Sequence, residues 1–443
     1  MILQNWWFTT LVGRKGTLRP ALQNDIGADV LIIGGGATGL SAARKLMESG
    51  LHVVLLERNI CGGSSTGKSA GFLTPDSELE LSQLIRRFGV QGARDLWEVP
   101  TQGIQLMKST IEAHGIECDF MRQDSLFLGK GASGLKDVLE EFEGRKKLGY
   151  KQTLYGAAEI PSILGSRSYS GGVRYSDTYG INALQYAQSL KEVLLEKGVE
   201  IYEASEVRSI SGHTAKTHLG SVTADVIILC ADKMKPALSP YARNIFHAQT
   251  FLSISEPLKA RERDLLFPSG HLQCWDSDLV YSYYRLTGDQ RVLLGGGSML
   301  TTFSMNDVTT PRVIERVIRG FKRAVPGLKD VEFIQYWPGR IDCTRDLLPT
   351  VGRDKDSPWI HFAFGCVGLP WATFCGDFVA RHVLNDRSED TKYYHYFRAD
   401  RRFLLPVSAE RLVGKQLVFS ANNAWSKYFQ VSRGSLTEKS EGT

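Results

Sequence analysis

At 443 residues the chain is about three domain equivalents long, counting roughly 150 residues per domain, which is more than one simple core can hold. Its 42% hydrophobic and 23% charged residues are those of a packed globular protein and exclude disordered, collagen-like and coiled-coil readings. The net charge of +5 is scattered without a basic run, and no 18 consecutive residues are apolar, so neither a nucleic acid partner nor a transmembrane segment is expected.

The opening stretch MILQNWWFTTLVGRKG places apolar residues ahead of its charges and lacks the apolar core and small-residue cleavage site of a secretory signal. Cys61, Cys118, Cys230, Cys274, Cys343, Cys366 and Cys375 are odd in number and show neither CxxC nor zinc-ligand spacing, which points to free thiols, no metal site and a cytoplasmic address. Residues 28–57 read as a βαβ unit: an apolar run of strand length, a glycine turn, a helix-period stretch ending at Gly50, and a second apolar run. Gly34, Gly36 and Gly39 supply GxGxxG directly after the first run. The first glycine permits the tight turn, the second lets a pyrophosphate approach the backbone, and the third lets the helix pack on the strand. Ala37 and Thr38 open that helix, whose N-terminal amides face phosphate charge. Glu57, 21 residues beyond Gly36, is placed to bind ribose hydroxyls. FAD and NAD share this fingerprint.

Downstream, residues 78–113 read as helix, 119–129 as strand-like, 182–197 as helix, and 199–202, 206–211 and 226–229 as strands returning to the first sheet. Alternating apolar and polar residues across 245–300 predict an antiparallel sheet, and helices near 311–324 and 368–385 bracket another strand pair. Order is expected to about Val431, beyond which the composition is that of a loose tail.

The loop after Glu57, from Arg58 to Gly71, is dense in small and hydroxylated residues suited to close contact with a long cofactor. Here the chain resembles the D-amino-acid-oxidase-like family of FAD-dependent amine oxidoreductases. Two later stretches carry the same resemblance, WPGRIDCTRDLLPTVG at 337–352 and FGCVGL at 364–369. Relatives commonly have His-Gly in the second, where this chain has Cys366 and Val367. The N-terminal Trp-Trp, Phe397-Arg398 and the segment Gly414-Lys415-Gln416-Leu417-Val418-Phe419 are similar to a γ-glutamylputrescine oxidoreductase-like branch.

The resemblance implies a Rossmann-type, glutathione-reductase-like α/β domain that binds FAD, with an inserted α+β substrate domain on an antiparallel sheet. Residues 25–75, 175–240 and 330–390 would form the first, 76–174 and 241–329 the second, and 391–443 a C-terminal extension. It assigns cofactor contacts to Gly34, Gly36, Ala37, Thr38, Gly39, Glu57, Arg58, Ser64, Ser65, Lys68, Ser69, Ala70 and Gly71. Val207, Ala231, Gly339, Gly365, Val367, Gly368 and Leu369 complete the set. FAD is expected to be non-covalent, because Gly339 stands where some sarcosine-oxidase relatives carry a linking cysteine and Cys343 is displaced from it.

Amino-acid oxidases of the family hold the substrate α-carboxylate with an arginine two residues after the glycine of W-x-G; here that position is Ile341. Its neighbour Arg340 would point to the opposite strand face unless a bulge redirects it. An amine without an α-carboxylate is therefore the expected substrate. Period two places Tyr281, Tyr283 and Arg285 on one face, with Tyr283 orienting the amine and Arg285 meeting a remote carboxylate, while Trp275, Trp337 and Trp371 are candidates for an aromatic wall. The implied reaction moves a hydride from the amine α-carbon to flavin N5, giving an imine that water hydrolyses to an aldehyde, with oxygen as acceptor and peroxide as product. The strand at 291–295 lacks the lysine that assists oxygen in sarcosine oxidases, so Lys68 is the candidate substitute. Open alternatives are a dehydrogenase passing electrons to a quinone or carrier, with the tail around Trp425 and Tyr428 docking a membrane or partner, a glycine, sarcosine or D-amino-acid oxidase, and a non-enzymatic or RNA-modifying flavoprotein. Oligomeric state is left open.

Overall fold

Strand Ile26–Ile33 ends in four consecutive buried apolar residues, the mark of a strand covered on both faces. It lies inside a parallel array in the order Glu200–Tyr202, Val53–Leu56, Ile26–Ile33, Ser221–Leu229. Ser221–Leu229 also pairs with Ile360–Phe364 in parallel and with Thr214–Lys216 in antiparallel fashion. The computed structural model of the protein describes residues 1–13, 18–76, 78–298, 308–385 and 390–401, together with 417 and 421.

Helix Ala37–Leu46 follows the glycine turn without a side-chain cap. A Cβ on Gly39 would stand 1.9 Å from the Gly34 carbonyl oxygen, so the third glycine is fixed by packing. The same helix packs against Leu369–Val383 just as closely: Ser41 Oγ donates to Thr373 O at 2.7 Å, and Arg44 pairs with Asp377 at 2.6 Å.

The second sheet has nine strands, in the order Ile2–Leu3, Phe333–Cys343, Phe246–Pro257, Arg291–Gly296, Tyr283–Leu286, Leu272–Asp276, Asp124–Gly129, Gly171–Tyr175, Thr153–Gly156. It is antiparallel except where Ile2–Leu3 joins Phe333–Cys343 and Leu272–Asp276 joins Asp124–Gly129. Helix Arg312–Ala324 covers one face with Val313, Ile314, Val317, Ile318 and Phe321. The boundary drawn at 330 needs correction. Phe333–Cys343 hydrogen-bonds along its length to Phe246–Pro257 and belongs to this sheet, not to the parallel one.

The helix expected at 78–113 is Leu81–His114, broken at Gly89 where φ is 73°. Of the strand expected at 206–211 only Ser209–Ser211 forms, because the preceding backbone is drawn inward: Ser205 N donates to Glu57 O at 2.8 Å. Helix Gly131–Leu148 and the N-terminal strand and helix were not anticipated. Helix Asp390–Phe397 buries Tyr393 and Phe397, the latter edge-on to Trp371. Of the segment 414–419 only Leu417 is among the described residues, and Trp425, Tyr428 and Val431 lie outside them. No helix among the described residues is long and apolar enough to cross a membrane.

Gly39→Ala is expected to lower the unfolding free energy of the cofactor-free protein by about 2–3 kcal/mol, the cost of forcing atoms into a packed contact. Gly36→Ala, whose Cβ would meet only Thr66 Oγ1, at 3.4 Å, should stay within about 1 kcal/mol of wild type in the same urea titration.

Candidate active site

The parallel strands converge at their C-terminal ends on a cavity of about 190 Å³. Such a crevice is where open α/β sheets bind ligands. Of the residues expected to hold a dinucleotide, Gly34, Gly36, Ala37, Thr38, Glu57 and Arg58 line it. So do Ser64, Ser65, Ser69, Val207 and Ala231, and from the last glycine turn Gly365, Val367, Gly368 and Leu369. Gly39 does not; its role is the helix contact described above.

The cradle fits an FAD. At the N-terminus of helix Ala37–Leu46 the N-cap residue Gly36 has no side chain to cap it and leaves the approach open for a phosphate, although the Ala37 amide donates to Thr66 Oγ1 at 3.0 Å. Glu57 accepts from Gly35 N–H at 2.8 Å and Asn59 N–H at 2.9 Å, one bond on each oxygen, so the carboxylate is held at the strand end with lone pairs to spare for ribose hydroxyls. Burial raises the Glu57 carboxyl, opposed by these two backbone bonds.

Asp232, which the sequence reading passed over, organises one wall. It accepts from Ser64 Oγ at 2.6 Å, Ser65 Oγ at 2.7 Å and Arg58 Nη2 at 2.9 Å, and pairs with Lys233 Nζ at 3.0 Å. Burial alone would raise this carboxyl, but Lys233, the two serines and Arg58 hold it well below the usual carboxylate range. The guanidinium of Arg58 is thereby committed to a protein carboxylate.

A second cavity, of about 340 Å³, adjoins the first, and Ser65, Ser69, Ile341, Val367, Gly368 and Leu369 line both. Lys68, Ala70, Gly71 and Gly339 border the second cavity alone. The N-terminus of the fifteen-residue helix Leu369–Val383 therefore stands where the two meet.

The walls of the second cavity are aromatic and acidic. Phe72 and Tyr283 meet edge-on with ring centroids 5.9 Å apart, Tyr281 and Tyr283 lie 5.5 Å apart, and Trp275 completes the group. The Tyr283 hydroxyl faces Thr250 Oγ1 at 3.4 Å, and burial pushes its phenol up to about 12, so it stays protonated. Its ring fits because residue 295 is glycine: a Cβ there would stand 2.2 Å from the ring.

The acids differ in their partners. Lys130 bridges Asp276 at 2.6 Å and Asp278 at 2.7 Å. Arg145 pairs with Glu141 at 2.8 Å and with Asp76 at 3.4 Å, which accounts for two of three closely spaced carboxylates, Glu80 being the third. Glu78 accepts from the Tyr281 hydroxyl at 3.3 Å, and Glu80 accepts from Trp275 Nε1 at 2.8 Å. Among the described residues no cation pairs with either. Burial pushes the Glu78 carboxyl up to about 7 and, with help from Asp76, holds Glu80 well above its ordinary range.

Three expectations are corrected. Arg285 does not face the cavity: it is 1% exposed, and its guanidinium donates to Ala70 O at 2.7 Å, Leu286 O at 2.9 Å and Ile181 O. Alternation gave the right face, but Arg285 lies deeper along the strand than Tyr283, underneath the loop at Ala70–Gly71. Trp337 and Trp371 are also absent from the wall; both are buried in the core, where Trp337 donates to Lys68 O at 3.2 Å. Finally, the strand runs through Gly339, Arg340 and Ile341 in unbroken register with Thr250, Gln249 and Ala248, so no bulge redirects Arg340, although Arg340 does border the cavity.

The family described as FAD dependent oxidoreductase matches residues 29–382, and the chain belongs to it. The protein is thus an FAD-dependent oxidoreductase. Over 373 residues it is 29% identical to the probable oxidoreductase OrdL of Haemophilus influenzae, covering 81% of this chain and 83% of that one. It is 27% identical to gamma-glutamylputrescine oxidoreductase of Escherichia coli over 401 residues, 88% and 92% of the two chains. The crystal structure of glycine oxidase from Geobacillus kaustophilus superposes with a TM-score of 0.73 at 18% identity, covering 85% of this chain and 99% of that one, which establishes the shared fold.

Glu57→Ala should weaken FAD affinity by about 2–4 kcal/mol, since it removes the ribose contact and releases the Gly35 and Asn59 amides together. Flavin fluorescence titration of the deflavinated protein reads this directly. Full affinity in the variant would remove Glu57 from the cofactor site.

Proposed function

We propose that the protein oxidises an amine that carries a second ammonium group and has no carboxylate on the reacting carbon. The observation that carries this reading is the pair Glu78 and Glu80, acids without a cation partner among the described residues, in an aromatic cavity that adjoins the FAD cradle. Ile341, apolar and at the junction of the two cavities, offers nothing to a carboxylate beside the reacting centre.

When bound, FAD supplies the acceptor for the two electrons that leave the amine's carbon–hydrogen bond. The chain's own residues do the rest. Phe72, Trp275 and Tyr283 exclude water from the reacting nitrogen, which favours its neutral form. Glu78 and Glu80 hold the remote ammonium and so fix the distance of the reacting carbon from the junction. Tyr283, protonated throughout the neutral range, donates or accepts a hydrogen bond at the amine. The product imine is hydrolysed by water to an aldehyde and ammonia or a smaller amine.

FAD is held without a covalent bond in this reading. Cys343, the thiol of the matching segment, is buried, donates to Phe246 O at 3.6 Å and is raised by burial, so it has little thiolate to offer. Oxygen is the acceptor, with Lys68 on the cavity wall as the cation that assists it. The named substrate of the Escherichia coli relative belongs to the proposed class, since a γ-glutamylated diamine keeps an ammonium at its remote end.

The test is anaerobic mixing of the yellow protein with an amine panel while following flavin bleaching. Diamines and γ-glutamylated diamines should bleach it faster than monoamines, glycine, sarcosine or D-alanine; faster bleaching by any of those α-amino acids would sink the reading. Glu78→Gln should raise KM for a diamine about 10- to 100-fold, the loss of one charge-assisted hydrogen bond, with a much smaller change in kcat. The sign with pH is fixed by the raised carboxyl: Glu78 gains its charge as pH rises through about 7, so the difference between wild type and Glu78→Gln should widen above that pH and close below it. Lys68→Met should slow oxygen consumption about a hundredfold while anaerobic bleaching is little changed. Wild-type protein that reduces dyes but not oxygen would replace oxygen by a carrier.

A further inference from the structure

The loop between the two cavities is held in an unusual way. Its four successive carbonyls, those of Gly67, Lys68, Ser69 and Ala70, each accept a hydrogen bond from a side chain far away in sequence. Asn5 Nδ2 reaches Gly67 O at 2.7 Å, Trp337 Nε1 reaches Lys68 O at 3.2 Å, Trp7 Nε1 reaches Ser69 O at 2.8 Å, and Arg285 Nε reaches Ala70 O at 2.7 Å. Two donors come from the first helix of the chain and two from the second sheet. The N-terminal segment is itself secured. Ile2–Leu3 pairs with Phe333–Cys343, Asn182 Nδ2 donates to Thr10 Oγ1 at 2.8 Å, and the Trp7 and Trp337 rings meet edge-on at 6.4 Å.

We infer that the N-terminal segment is a strap whose Asn5 and Trp7, together with Trp337 and Arg285, set the loop in its FAD-binding shape. Carbonyl oxygens carry partial negative charge, and a dinucleotide brings further negative charge to this wall. Drawing all four outward leaves Ser65, Ser69, Ala70 and Gly71 to border the cavities. A loop already in that shape spends no binding free energy on ordering, so affinity falls in proportion to any loss of the competent conformer. The strap touches neither the glycine fingerprint nor Glu57, so its role is positioning. The inference rests on the family assignment and is independent of which amine is oxidised.

The decisive variant is Trp7→Phe, which keeps an aromatic ring in the core while removing the indole donor and part of the buried volume; Asn5→Ala and Trp337→Phe remove two further donors. Each is purified with its flavin, deflavinated and titrated with FAD. The Kd for FAD should rise at least about tenfold in Trp7→Phe and further in the double variant with Asn5→Ala. Visible circular dichroism of the bound flavin should change, while activity at saturating FAD and KM for the amine stay near wild type. Thermal melting of the flavin-free variants separates the alternative. A lowered melting temperature with an unchanged Kd for FAD would reduce these side chains to ordinary core packing and overturn the inference. If Trp7→Phe fails to fold, the same titration on Asn5→Ala, at the rim of the core, decides it. Unchanged FAD binding with the expected amine preference would overturn the strap and leave the substrate reading intact, whereas weakened FAD binding in a protein that prefers α-amino acids would leave the strap intact.

Discussion

A single buried guanidinium ties the antiparallel sheet to the cofactor loop and to the chain at Ile181. Among the described residues Arg285 meets no carboxylate at hydrogen-bond distance; three backbone carbonyls, from the loop at Ala70, from Ile181 and from its own strand at Leu286, take its donors. Burial brings its pKa down to about 10, so it remains a cation at neutral pH. A charge in that position is tolerable only while the carbonyls stay in place. The neighbouring backbone accordingly has no room to move: a Cβ on Gly71 would stand 2.0 Å from Ile181 O, and one on Gly180 would stand 2.6 Å from Gln123 Oε1. From this anchor the loop runs to the FAD cradle in one direction, and the strand runs to Tyr283 and the substrate cavity in the other.

The electrostatics of the second cavity follow from a partition of acids. Lys130 takes Asp276 and Asp278, and Arg145 takes Asp76 and Glu141 while stacking on Tyr175 at 3.5 Å and Trp97 at 4.7 Å. Glu78 and Glu80 are left with neutral donors, and both are raised by burial. The cavity therefore offers an incoming cation two acids that burial holds towards their neutral form and that a bound ammonium would draw back into the charged one. Ile341 and the N-terminus of Leu369–Val383 mark the opposite end, so the site is polar in one direction and can distinguish the two ends of a long amine.

The cofactor half was legible because its signals are local. Parallel strands buried on both faces read as apolar runs, and the glycine spacing with Glu57 specifies one turn and one strand end. What escaped the sequence depends on contacts across hundreds of residues. Alternation placed Tyr283 and Arg285 on one face but says nothing of depth, so a structural cation was read as a substrate ligand. Trp337 and Trp371 were offered as wall residues on aromatic character alone. Asp232 gave itself away only by following Ala231 at the end of a strand, and Glu78 by nothing at all, since its environment is made by Tyr281. The strand Phe333–Cys343 was put with the wrong sheet because its sequence match concerns cofactor contact while its hydrogen bonds belong elsewhere.

The fit of Tyr283 against Gly295 bears on how such a protein diversifies. The phenol's position is set by an absent side chain on the adjacent strand, with the ring occupying the space that any larger residue would claim. Residue 295 borders neither the flavin cradle nor the acidic wall, so a change there would resize the cavity without touching the groups that hold cofactor or charge. Since any side chain there acts through the Tyr283 ring, it is a natural first position to vary when adapting this scaffold to a bulkier or slimmer amine.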